Sequence, residues 1–281
     1  MSTTTTTAPR PTSALPAAAP TGLGWAVKDI MVITGRNLMK VRRSPQLLVF
    51  SLVQPVMFVL LFNFVFGGSL TVPGFEGDYI NFLLPGIFAQ SALFGSTQSG
   101  IALNEDLRAG IVDRFRSLPM ARSAVLAGRT LADATRTTLT LLLMSAVGYL
   151  LGFRFVSFLP AIAAIVLAVL MAFAFSWISV NIGMRAPDAE TAQVAGFIWV
   201  FPLVFASSAF APTQAMPGWL QAFANNSPVT AIVNAVRGLA NGVPAPGSIS
   251  IAGDVWTALA WIAVILAVAI PLAARGYRKG A

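Results

Sequence analysis

Six apolar runs dominate this chain, at about residues 47–66, 80–103, 137–153, 155–184, 192–210 and 255–274. A helix needs about 20 apolar residues to cross a bilayer, and these runs lie near that length. The third helix is expected to start earlier than its apolar run, near Ala124. Only 10% of the residues are charged and 56% are hydrophobic, whereas a soluble domain carries about 25% charged residues. The expected fold is therefore all-α and integral to a membrane, with six transmembrane helices. Pro55, Pro85, Pro202 and Pro271 fall inside the runs. Each removes a helical donor and frees a carbonyl that a neighbouring helix must satisfy.

Orientation follows from the basic residues. With both termini in the cytoplasm, 16 of the 18 Lys and Arg residues lie on the inner side, and only Arg154 and Arg237 lie outside. That is the bias expected of a multi-pass protein. Residues 1–24 form a Thr/Pro/Ala-rich tail with one charge, Arg10, and no apolar core of a signal peptide; they are expected to be disordered and cytoplasmic. Residues 25–43 are expected to form an amphipathic helix. Val27, Ile30, Met31, Leu38 and Val41 share one face, and Lys28, Asp29, Arg36, Lys40 and Arg43 share the other. Such a helix lies in the membrane interface, although a plain juxtamembrane anchor of positive charge has the same pattern. Ser44-Pro45 is expected to end it.

The longest charged segment is 104–129, which this topology places in the cytoplasm. Gly110 and Pro119 bound a stretch of about two helical turns, in which Ile111, Phe115 and Leu118 form an apolar stripe with Asp113, Arg114 and Arg116 largely off it. Ser123 offers an N-cap for the next helix. A short amphipathic helix at the membrane surface can receive a soluble partner, and a solvated loop without one fits the same pattern. Arg129, Asp133 and Arg136 are spaced so that one carboxylate can serve two guanidiniums, as an ion-pair cluster at the inner interface.

Segment 211–253 is not a plain loop. Met216-Pro217-Gly218-Trp219 opens a short helix ending near Asn225-Asn226, and Ser227 caps a second with Pro228 at its first position. Val229, Ile232, Val233, Val236 and Leu239 make the apolar stripe of that second helix, with Arg237 expected in its last turn. At about 12 residues it cannot span a bilayer. The pair is expected to be re-entrant, and interfacial packing without a gating role is the other possibility.

Several chemistries are excluded or disfavoured. The chain has no Cys and no His, which removes disulfides, thiolate or imidazole metal ligands and the corresponding catalysis. Its three lysines, Lys28, Lys40 and Lys279, do not follow a glycine, so no GxxxxGK[ST] phosphate loop exists. The six apolar runs contain no Asp, Glu, Lys or Arg, which disfavours proton-driven transport. Glu105/Asp106 and Asp188/Glu190 are paired carboxylates at helix ends; surface acids explain them better than catalysis. The neutral polar residues Gln54, Asn63, Gln90, Gln98 and Asn181 are candidates for a pathway lining, and helix packing would equally satisfy them.

Two stretches carry a family resemblance. One combines Glu105, Gly110-Ile111, Phe115-Arg116-Ser117-Leu118-Pro119-Met120 and Arg122; the other runs over 205–239 through Met216-Pro217-Gly218-Trp219, Ser227-Pro228-Val229-Thr230 and Val236-Arg237-Gly238-Leu239. They resemble the first cytoplasmic loop and the extracellular segment before the last span of type 2 ABC exporter permeases, in the daunorubicin-resistance-like drug-efflux branch. The match covers nearly all of 25–275 and leaves out the tail, so that 25–281 would be the transmembrane domain. The resemblance implies a non-catalytic permease that works as a dimer, expected to be a homodimer, with two copies of a separate cytoplasmic ATPase that binds ATP and Mg. Glu105, Gly110, Ile111, Asp113, Arg114, Phe115, Arg116, Leu118 and Pro119 would then form the coupling segment. Pro217, Trp219, Pro228 and Arg237 would belong to an outer gate. The implied function is export of a hydrophobic or amphipathic compound of the drug or antibiotic type across the bacterial plasma membrane. Export of a lipid or lipid-linked glycan is an alternative, and a membrane-embedded interaction or immunity protein without transport is the alternative from another class. Nucleic-acid binding is not expected, because the basic residues follow the edges of apolar runs.

Overall fold

The computed structural model describes residues 28–36, 39, 45–67, 72–75, 77–111 and 124–278, and the described residues contain helices and no strand. After a helical segment at 28–36 come α1 (Pro45–Phe66), α2 (Tyr79–Arg108), α3 (Ala124–Leu150), α4 (Phe158–Arg185) and α5 (Ala189–Phe205). A 3-10 turn at Thr213–Ala215 leads into the short helices α6 (Gly218–Asn225) and α7 (Pro228–Asn241), and α8 (Ile251–Arg278) closes the bundle. The tail 1–24 lies outside the described residues, and so do Asp113, Arg114, Phe115, Arg116, Leu118 and Pro119 of the expected coupling segment.

Several helix ends differ from the apolar runs, each for a local reason. Pro45, expected as a stop, opens α1, where a proline loses no intrahelical bond. Segment 104–129 is not one loop. The α2 helix continues to Arg108, and Gly110 turns it off with φ +66, a conformation that suits glycine at a helix C-terminus. Helix α3 is already under way at Ala124, which leaves 109–123 as the connection. At α5 the side chain of Asp188 accepts a hydrogen bond from the Thr191 backbone N–H at 2.6 Å, which holds the carboxyl below the usual carboxylate range. That cap starts α5 three residues before its apolar run, and the helix ends at Phe205 rather than 210.

These longer helices correct one expectation. Glu105, Asp106 and Arg108 lie on α2, Arg129, Asp133 and Arg136 on α3, and Asp254 on α8. Helices are therefore not free of ionisable groups once their true bounds are known. Among the described residues, Phe158–Arg185 and Ile251–Gly276 are long and apolar enough to cross a membrane by length and composition.

Helix α2 is the centre of the bundle. It contacts α1, α3, α4, α5 and α7, and its most extensive contact is with α4. Small residues make that contact possible. A Cβ on Gly100 would fall on the Ser179 carbonyl, and one on Gly183 would fall on the Gly100 carbonyl. Backbones that touch in this way gain dispersion and leave no groove to fill, the usual device of helix pairs in apolar surroundings. Asn104 fastens the same pair, its Nδ2 donating to the carbonyls of Gly183 at 2.9 Å and Ala186 at 2.8 Å. Replacing Gly100 by Leu must push α2 and α4 apart. We expect a loss on the order of 3 kcal/mol, measured as lowered thermal unfolding temperature in detergent.

Candidate functional site

One end of the bundle carries a layer of ion pairs built from three elements. Asp106 near the end of α2 accepts from Arg129 Nη1 of α3 at 2.7 Å and lies 3.5 Å from Arg36 Nη2 of segment 28–36. The Arg129 guanidinium also donates to the Ala102 carbonyl at 3.1 Å. Asp133 pairs differently: it accepts from Ser99 Oγ at 2.5 Å and lies 3.9 Å from Arg136 Nη2, which donates to the Gly95 carbonyl at 3.0 Å. The expected triad is thus half correct. Asp133 takes Arg136, but Arg129 turns to the neighbouring helix, because the two α3 residues face different parts of α2. Asp106 is 7% exposed, so it is not the surface acid that its place beside Glu105 suggested. Breaking a pair this poor in solvent leaves an uncompensated charge, which costs several times more than breaking a surface pair.

Segment 28–36 reaches this layer through Ile33 and Thr34, both buried. Thr34 Oγ1 donates to the Gly128 carbonyl at 3.1 Å, and a Cβ on Gly128 would collide with the Ile33 side chain. Met31 of the expected apolar face is exposed. The helix therefore leans on α3 with a different edge from its most apolar one.

Beside the ion pairs lies a cavity of about 560 Å³, walled by α1, α2, α3 and α5. Gln90, Phe94, Gln98 and Ala102 of α2 line it at intervals of four residues, so they form one stripe. Arg129, Asp133, Arg136, Thr137 and Thr140 face them from α3. Gln54 and Pro55 come from α1, and Phe197 comes from α5 with its ring 5.7 Å from that of Phe94. The wall is aromatic and amide-bearing toward Gln90 and charged toward Glu105. Such a surface suits an amphipathic molecule of drug size, for which pockets run to about 300–1,000 Å³.

Of the five pathway candidates, Gln54, Gln90 and Gln98 line this cavity. Asn181 does not; its Nδ2 donates to the Trp177 and Ala269 carbonyls at 2.8 and 2.9 Å and so joins α4 to α8. Asn63 is also away from it. Of the coupling candidates, Glu105 sits at the cavity's charged end, while Gly110 and Ile111 follow α2. Ser99, Asn104 and Asp106 were missed. Their partners are 34, 79 or more and 23 residues away in sequence, beyond any helical spacing.

The opposite end holds α6 and α7. Ser227 Oγ accepts from the Val229 N–H, Pro228 follows the cap, and Gly242 with φ +75 ends α7. Pro217 precedes α6, whose Trp219 is 76% exposed. Helix α7 runs four residues beyond Arg237, which is therefore not in its last turn and is not a surface charge. The guanidinium is 1% exposed. Its Nε donates to the Phe82 carbonyl at 3.0 Å, its Nη2 to those of Ser208 at 2.8 Å and Ala209 at 3.4 Å, and it lies 3.8 Å over the Phe82 ring. Proline explains a neighbouring bond. Pro85 cannot donate to the carbonyl of Asn81 four residues earlier, and Asn241 Nδ2 does so instead at 2.9 Å. Arg237 is thus a strut between α7, α2 and the turn after α5. Hydrogen bonds to a charged group contribute about 1.5–3 kcal/mol each. Arg237→Ala is expected to cost roughly 3 kcal/mol or more in detergent unfolding, with Arg237→Lys recovering only part of it.

Comparison with known proteins agrees with this architecture. The ABC-2 type transporter family model matches residues 28–240. The chain is 33% identical over 257 residues to the daunorubicin resistance ABC transporter permease protein DrrB1 of Streptomyces coeruleorubidus, covering 90% of this chain and 87% of that one. It is 31% identical over 255 residues to the "Probable doxorubicin resistance ABC transporter permease protein DrrC" of Mycobacterium tuberculosis, covering 90% and 89%. It is 27% identical over 181 residues to the doxorubicin resistance ABC transporter permease protein DrrB of the same species, covering 63% and 61%. These are permease components of ABC transporters, embedded in membranes. With a family match over most of its length and two drug-resistance permeases similar over about nine-tenths of it, this chain belongs to the ABC-2 type transporter family.

Proposed function

We propose that the chain is the permease subunit of an ATP-driven exporter that moves a hydrophobic or amphipathic compound of the drug or antibiotic type out across the bacterial plasma membrane. It works as a homodimer on two copies of a separate cytoplasmic ATPase, which hold ATP and Mg. The six long helices α1–α5 and α8 are the six spans, with both termini cytoplasmic. Residues 25–43 lie at the inner interface, and α6 and α7 form the re-entrant pair at the outer mouth. The drug-resistance names of the relatives support the cargo class. The lack of a phosphate-binding loop in this chain supports an outside source of energy.

The observation that carries this function is the course of α2. It runs unbroken through 30 residues, Tyr79–Arg108, with Arg237's partner Phe82 near one end, the cavity wall at Gln90–Gln98 along it, and Asp106 near the other end beside the start of the 109–123 connection. A helix of that length spans about 45 Å. An ATPase that moves the connection at one end therefore moves the cavity wall and the strut at the other, as a rigid body. The ion pairs of Asp106 with Arg36 and Arg129 make segment 28–36 and the start of α3 move with it.

The coupling segment supplies the test. Charge reversal at Arg114 and Arg116 together is expected to leave ATP hydrolysis by the co-purified ATPase largely intact while export from cells or vesicles falls about tenfold, the factor set by roughly 1.4 kcal/mol of lost coupling. Wild-type export by the double variant would count against this function.

A further inference from the structure

A file of phenylalanine rings leaves the cavity toward the end of the bundle that holds α6 and α7. On α5 it rises from Phe197 in the cavity wall through Phe201 to Phe205. On α1 it rises from Gln54 through Phe58 to Phe62, again one helical turn at each step. Phe210, in the turn after α5, joins the two stripes, its ring stacked on Phe205 at 5.2 Å and on Phe62 at 5.3 Å. Phe201 ties the file to the cavity, with its ring 4.5 Å from that of Phe205 and 5.9 Å from that of cavity-lining Phe94. The turn itself is fixed, because Arg237 donates to the carbonyls of Ser208 and Ala209 just before Phe210.

Two features distinguish the file from a lipid-facing surface. From Phe201 through Phe205, Phe210 and Phe62 to Phe58, successive rings lie between 13° and 24° from parallel. Phe201 and Phe205 are also 52% and 40% exposed, so these aligned rings are open to a neighbour. Acyl chains gain nothing from rings set parallel and are met equally well by Val194 and Ile198, exposed on the same helix. A flat π system does gain, because aromatic pairs attract beyond the area they bury. Resting on the permease function proposed above, we infer that Phe201 and Phe205 form a stacking site for a planar aromatic molecule between the cavity and the outer mouth. A ring system that leaves Phe94 and Phe197 meets Phe201 first and Phe205 one turn later. A molecule without a flat π face gains only buried area there.

The experiment uses the full permease with its co-expressed ATPase in lipid nanodiscs, and daunorubicin as a fluorescent planar probe. Phe205→Leu is expected to raise the Kd about fivefold, the scale of one lost aromatic contact, while Phe205→Tyr, which keeps the ring, stays within about twofold. Rings that only fasten α1 to the end of α5 make a different prediction. Phe205→Leu would then lower the thermal unfolding temperature and leave the Kd as in the parent, which overturns the assignment. A Phe205→Leu permease that separates from a second copy on gel filtration while keeping its Kd overturns it too, by placing that copy on the rings.

A second measurement needs no variant. A photoactivatable azide of daunorubicin, irradiated with the parent complex and mapped by peptide mass spectrometry, should label the stretch that holds Phe201 and Phe205. Excess daunorubicin should reduce that labelling several-fold and leave unchanged any labelling around Val264, which is exposed on α8. Labelling at α5 that excess daunorubicin does not reduce shows a drug merely dissolved in lipid and overturns the assignment. So does the absence of saturable binding to the parent. Failure to capture an ATPase would instead speak against the permease function, whatever the Kd values are.

Discussion

The bundle depends on two backbones that touch. Gly100 and Gly183 let α2 and α4 approach until each glycine faces a main-chain carbonyl of the other helix, and everything else is arranged around that line of contact. With α4 packed this closely on one side, α2 is left to meet α1, α3, α5 and α7 on its remaining faces. In apolar surroundings no hydrophobic effect draws helices together, so shape and hydrogen bonds carry the specificity. The same logic explains Gly86, where a Cβ would fall on the Ala209 carbonyl and block the turn that follows α5.

Main-chain carbonyls are the second theme. Asn104, Asn181, Asn241, Arg129, Arg136 and Arg237 each reach across to a carbonyl of another helix or of the turn after α5. An amide or guanidinium that finds such an acceptor offsets part of its own desolvation and clamps two elements at once. Arg237 is the extreme case, a cation whose hydrogen bonds all go to carbonyls, with an aromatic face beneath it. The two ends of α2 are therefore tied by different means. At Asp106 the ties are ion pairs between charged side chains, which an altered electrostatic environment can rearrange. At Phe82 and Asn81 they are bonds to main-chain carbonyls, buried at Phe82 and half-buried at Asn81, which hold the helix by geometry rather than by opposed charges.

Much of the fold was legible in the chain. The runs at 47–66 and 80–103 lie within α1 and α2, and Ser227-Pro228 marked the start of α7 to the residue. Periodicity also identified the stripe Val229, Ile232, Val233, Val236 and Leu239, of which the first four are fully buried and Leu239 partly. Three of the five polar pathway candidates meet at one cavity. The failures share a cause. The basic-residue count puts Arg237 on the outer side, in the last turn of its helix, the pairing with Glu105 at a helix end reads Asp106 as a surface acid, and local spacing, all that a single helix reveals, gives Arg129 to Asp133. Each of these residues found its partner on another element, where no periodicity can point.

What the sequence by itself determined is where the described helices lie, to within a few residues, since apolar length, proline, glycine and capping residues act within a few positions of where they stand. It also determined the absence of an internal phosphate-binding loop, because that chemistry needs residue types the chain does not carry at the required spacing. Only the tertiary structure decided which face of α2 meets α4, that Arg129 serves Asp106, that Arg237 is a strut, and that Gln90 rather than Asn181 lines the cavity. The physical reason is that these outcomes depend on how closely two helices can approach and on which carbonyls remain without a donor. Both are properties of pairs of elements, and neither is written in either element alone.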